Sequence, residues 1–167
     1  QLQDAGNTVT VAHYLDLLDK AGMLCGIQKY DARAVKRRKS SPRFMVYDTS
    51  LMTASSGIEK SRYLGEPDLR GHLVESAVGA RLLARASEEG LGVYWWREGI
   101  KEVDFVVSKG FDSLSAIEVK SGKEKGQSGM ADFLSANPNA KRIVVGGAAS
   151  GACGVEEFLK DEVELFY

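Results

Sequence analysis

The chain has 167 residues, an ordinary apolar content and a formal net charge of −1. That length supports one good core or two small ones sharing a surface. No apolar run approaches the roughly 18 residues of a membrane span and no signal-peptide pattern opens the chain, so the expectation is a soluble globular protein. Cys25 and Cys153 are the only cysteines and form no CxxC motif, which reads as a reduced, cytoplasmic setting. His13 and His72 stand alone, without the spacing of zinc ligands. The chain opens on Gln1 rather than Met and reads as a fragment of a longer protein. Charge is uneven. Residues 1–66 hold 10 Lys/Arg against 7 Asp/Glu, and residues 67–167 hold 12 against 16, so the two parts are expected to meet different partners.

In the front part, 1–66, Thr8 or Thr10 caps a helix running through 11–21. Val11, Tyr14, Leu15, Leu17 and Leu18 form its apolar stripe. Gly22 ends it, with Lys20 in the last turn. Strands follow over 23–30 and 43–47. Between them lies a basic loop with Arg33, Lys36, Arg37, Arg38 and Lys39. Helix, strand, basic loop, strand is the order of a winged-helix module, whose wing touches phosphates. The plainer alternative is a solvated loop tip. Asp48 caps a short helix from Thr49, and the Ser-Ser-Gly stretch marks 55–62 as a linker or mobile turn.

In the back part, 67–167, Pro67 and Asp68 start a helix that runs to about Ser87 and closes at Gly90. Leu69, Leu73, Ala77 and Ala80 form its stripe, and Glu75 sits at the border, where a glutamate needs no special explanation. A strand over 93–98 carries two tryptophans. Then comes a hairpin, 102–109 and 113–121, joined by Gly110-Phe111-Asp112. The three-residue loop pairs Lys109 with Ser113. Counting back, Asp104 faces Glu118 and Glu102 faces Lys120. This puts Glu102, Asp104, Glu118 and Lys120 on one face, and Val103, Phe105, Val107, Ile117 and Val119 on the other. Carboxylates directly opposite lie about 5 Å apart and repel. Lys120 offsets part of that, and a divalent cation with oxygen ligands would offset the rest. The alternative is the polar side of an ordinary hairpin. After a polar stretch over 122–129, a helix (128–137), a strand (141–146) and a helix (155–161) complete the order of an α/β sandwich.

No P-loop, no Gly-x-Gly-x-x-Gly and no Gly-x-Ser-x-Gly elbow is present. The glycine-rich stretch 146–154 reads as a plain loop. Asp104 followed by Glu118-Val119-Lys120 resembles the D…(D/E)-x-K pattern of the PD-(D/E)XK nuclease-like superfamily. Nearly the whole chain resembles the C-terminal region of a prokaryotic family of AAA-type ATPases. There an ATPase module is followed by a winged helix and a restriction-endonuclease-like domain of unknown function. The stretches that carry this are YLDLLDKAGML, SPRFMVYDTSLMTA, GHLVESAV, YWWR, EVDFVV and IEVKS. Two positions depart from the family's habit: Ser76 where Asn usually follows the helix glutamate, and Ser50 where Gly usually stands.

The resemblance implies a restriction-endonuclease-like α/β sandwich with a mixed sheet (67–167), preceded by a small winged-helix module (1–66). It implies that Asp104 and Glu118 ligate Mg²⁺ or Mn²⁺ and that Glu75 completes the shell. Lys120 would orient the attacking water and steady charge on the phosphate. The expected activity is cleavage of DNA phosphodiesters, with the N-terminal ATPase module of the full-length chain as partner and ATP acting only there. The rival expectation is a non-catalytic nucleic-acid-binding or protein-docking module that regulates the ATPase.

Overall fold

In the computed structural model, residues 8–31, 41–110, 112–120 and 129–167 are described. Helix α1 (Thr8–Lys20) is followed by strands β1 (Leu24–Lys29) and β2 (Arg43–Val46). Helices α2 (Thr49–Ser56), α3 (Lys60–Gly65) and α4 (Pro67–Glu89) come next. The remainder is β3 (Gly92–Glu98), β4 (Lys101–Lys109), β5 (Ser113–Val119), α5 (Met130–Ala136), β6 (Lys141–Val145) and α6 (Val155–Leu159). The strands form one six-stranded mixed sheet in the order β2-β1-β3-β4-β5-β6. The β1–β3 and β5–β6 pairs are parallel and the other pairs antiparallel.

Helices cover both faces of this sheet. On one face Val78 and Leu82 of α4 and Phe158 of α6 pack with Phe105, Val107, Ile117, Ile143 and Val145. On the other, Met130 and Phe133 of α5 pack with Val103, Val106 and Ala116. Each large side chain taken out of water here contributes roughly 1.5–3 kcal/mol. Helix α4 starts at Pro67 and ends at Gly90 in a left-handed conformation, φ +69°, as expected from the sequence. Its buried positions are Gly71, Val78, Gly79 and Leu82. Glu75, three and four positions from Gly71, Val78 and Gly79, therefore lies within the sheet-facing stripe and not at its border. Gly79 lets the helix approach closely: a Cβ there would run into Met45 Cε and stand 3.0 Å from Phe105 Cζ.

The hairpin register begins as the loop length dictates, with Lys109 opposite Ser113 and Phe105 opposite Ile117. The expected continuation does not hold. Between Tyr94–Val106 and Trp96–Val103, β3 advances two residues while β4 advances three. This one-residue bulge sends Val103 to the α5 side, whereas Phe105, Val107, Ile117 and Val119 pack on the α4 side. The single apolar face expected of the hairpin is thus split at Asp104.

In the front part, α1 ends at Gly22, φ +67°, where Met23 N donates to Leu18 O. Its stripe is only partly covered: Val11, Tyr14 and Leu17 are exposed, and Leu15 and Leu18 half-buried. Asp48 caps α2 by accepting from Ser50 N at 2.8 Å. The expected linker over 55–62 is largely helical, with α2 and α3 separated by Gly57–Glu59. Strand β1 joins the back part through Gln28–Tyr94 and Lys29–Trp95, so the sheet continues across the sequence boundary at 66/67. Arg33, Lys36, Arg37, Arg38 and Lys39, and all of the polar stretch 122–129 except Gly129, lie outside the described residues. Among the described residues no helix is long and apolar enough to cross a membrane.

Candidate functional site

The sheet forks where β4 and β5 part. The last ladder pair before they separate is Phe105–Ile117. One step further, Asp104 Oδ2, not a backbone carbonyl, accepts the Val119 N–H at 2.8 Å. Glu102 O accepts from Gly129 N at 2.8 Å, and Lys120 N donates to Val145 O at 2.8 Å. β4 has turned to Gly129 while β5 stays with its neighbour β6, and the Asp104 carboxylate sits in the gap. The bulge is what turns it there, the usual consequence of an extra residue in one strand.

Burial raises the Asp104 pKa to about 7, helped by the negative charges of Glu75 and Glu118; the Val119 N–H and Arg43 pull the other way. Three carboxylates from α4, β4 and β5 thus act on one another. Glu118 is largely enclosed, with 12 % of its side chain exposed, and pairs with Lys120 Nζ at 2.8 Å. Two glycines support Lys120. Gly146 and Gly147 adopt φ of +77° and +73°, and a Cβ on Gly147 would stand 2.9 Å from Lys120 Cβ. The turn after β6 therefore lies flat against the lysine.

The fourth expected face member, Glu102, does not meet Lys120. Its carboxylate pairs with Arg43 Nη2, a residue of β2 in the front part. Arg43 Nη1 stands 3.7 Å from Glu75 Oε1, and the guanidinium lies 5.1 Å over the Trp95 ring. Nη1 is buried and has no hydrogen-bond acceptor among the described residues. Sequence reasoning missed Arg43 because R-F-M-V predicts a strand but not which distant charge its first residue meets.

Three carboxylates are a hard, all-oxygen donor set of the kind Mg²⁺ and Mn²⁺ take. The negative charges of Glu75 and Glu118, which add to burial in raising the Asp104 pKa, are also what a cation would offset. The donors fit such an ion in kind. They do not form a ready-made cage: among the described residues no three His, Cys, Asp or Glu side chains stand close enough together to hold a metal. Glu75 and Glu118 are instead turned to Arg43 and Lys120.

Fold and site define a mixed α/β protein with a carboxylate cluster at the fork of a central hairpin. The chain belongs to the family described as Domain of unknown function (DUF4143), whose model matches residues 70–153. That span contains Glu75, Asp104, Glu118 and Lys120 but not Arg43. Residues 1–62 match a second model, Domain of unknown function (DUF8612). No curated protein and no solved structure matches the chain.

Proposed function

We propose that the chain is the C-terminal part of an AAA-type ATPase. In this reading it carries a restriction-endonuclease-like domain of the PD-(D/E)XK kind behind a small winged-helix module, and acts on DNA phosphodiesters. The observation that carries the reading is the position of Asp104 in the fork, bonded to the Glu118-Val119-Lys120 strand and under the charge of Glu75. Asp104 and Glu118 would hold Mg²⁺ or Mn²⁺, with Glu75 completing the shell from α4. Such an ion supplies Lewis-acid polarisation of the phosphoryl oxygen and lowers the pKa of its water. The chain's own residues do the rest. Lys120 sets a compact positive charge where negative charge grows on the phosphate, and orients the water. A cation beside Asp104, whose pKa is about 7, would favour its ionised form. Arg33, Lys36, Arg37, Arg38 and Lys39 supply cationic surface for the nucleic-acid backbone, and the N-terminal ATPase module is the partner.

Incubating plasmid DNA with the chain and Mg²⁺ or Mn²⁺ tests this. The wild type is expected to nick and linearise. Asp104→Ala and Lys120→Ala are each expected to lose 10²-fold or more, the scale of a lost charge-stabilising group. Equal cutting by all three would defeat the reading.

A second reading draws on the ion pairs. Glu102 is paired with Arg43 and Glu118 with Lys120, which suits a cluster serving as a structural lock in a non-catalytic docking module. Calorimetry that finds no binding of Mn²⁺ by the folded chain would favour it.

A further inference from the structure

Arg43 belongs to β2, outside the matched DUF4143 span, yet its guanidinium stands among the carboxylates of that span. A guanidinium does not deprotonate in proteins, so it leaves only by moving. Its three ties differ. Nη2 pairs directly with Glu102, and the plane lies over Trp95. Nη1 is 3.7 Å from Glu75, too long for a hydrogen bond, so that tie is coulombic. Glu75 is therefore the carboxylate most easily drawn away, and Asp104 also feels the Arg43 charge.

We propose that Arg43 is the built-in counter-cation of this cluster and sets its affinity for a divalent ion, the ion and Arg43 competing for Glu75. This rests on the metal-site reading above. The energetics follow from charge. A fixed positive charge a few ångströms from the carboxylates lowers their attraction for a second cation, and in a part-buried site the effect is poorly screened. An ion that took Glu75 would leave Arg43 paired with Glu102 and free to shift over the Trp95 ring. The front strand pair thereby reports the state of the cluster.

The test is Mg²⁺ and Mn²⁺ titration of the whole 167-residue chain by calorimetry, with tryptophan emission followed during the Mg²⁺ titration. Arg43→Met is expected to bind about 10-fold tighter or more, and Arg43→Lys, which keeps the charge, close to wild type. The emission change on Mg²⁺ should appear in the wild type and vanish in Trp95→Phe. Arg43→Gln keeps a donor for Glu102 without the charge and gives the same comparison if the methionine variant does not fold. Equal or weaker binding by the uncharged variants, with wild-type binding intact, would overturn the role of Arg43 and leave the metal site standing. Absence of binding in every variant, or binding unaffected by Asp104→Ala, would overturn the metal site itself, and the role of Arg43 with it.

Discussion

At the scale of single residues, Asp104 carries a pH signature. Its folded pKa, about 7, lies above the ordinary aspartate value, chiefly through burial. The fold therefore favours the protonated form. Asp104's contribution to stability is fully present below about pH 4 and is lost as pH rises through 7, since the folded state binds the extra proton across that window. A shift of this size corresponds to about 4 kcal/mol. Asp104→Asn keeps an oxygen to accept the Val119 N–H and removes the charge. Thermal melts without divalent ions are expected to show the variant more stable than wild type at pH 8, the gap narrowing below pH 7 and closing only by about pH 4. A gap independent of pH would mean that the carboxyl is not held in the buried state described.

At the scale of elements, α4 and the hairpin set the site. Gly79 brings α4 down onto Met45 and Phe105, and that depth lets Glu75, one turn earlier, reach the fork. Gly79→Ala gains about 1 kcal/mol of helix propensity and costs about 1–3 kcal/mol of overpacking against the Phe105 ring. Net destabilisation of up to about 2 kcal/mol in urea titrations is expected. Gly65→Ala, where a Cβ meets nothing within 4 Å, should be neutral or slightly stabilising.

The hairpin also shows what a sequence discloses. Its register from Lys109–Ser113 to Phe105–Ile117 was readable, because a short glycine-containing loop and alternating Val, Phe and Ile residues fix the pairing. The E-V-K run beside an aspartate was readable for the same reason. The bulge was not, since one extra residue in β4 leaves no mark in a run of Val and Phe. It moved Val103 to the opposite face and parted Glu102 from Lys120. Arg43 and the glycines behind Lys120 were equally hidden, because their partners are fixed by tertiary packing.

At the scale of the whole molecule, the sheet unites stretches that match two different family models. Strands β1 and β2 cover the edge of β3, where Trp95 lies under Arg43. Residues 67–167 produced alone would present that edge bare, a template for pairing between copies. Sedimentation is expected to find this fragment self-associated and the 167-residue chain less so; a monodisperse, monomeric fragment would show that the seam is dispensable.

The same seam has a temporal side. Val46, the last residue of β2, leaves the ribosome 46 residues ahead of Gly92, the first of β3. At bacterial-to-eukaryotic synthesis speeds of about 5–20 residues per second, that is a wait of roughly 2–9 s. Throughout it the newborn hairpin keeps one flank open, and the arginine that will cross into the acidic fork waits for Glu102, the carboxylate it pairs with directly.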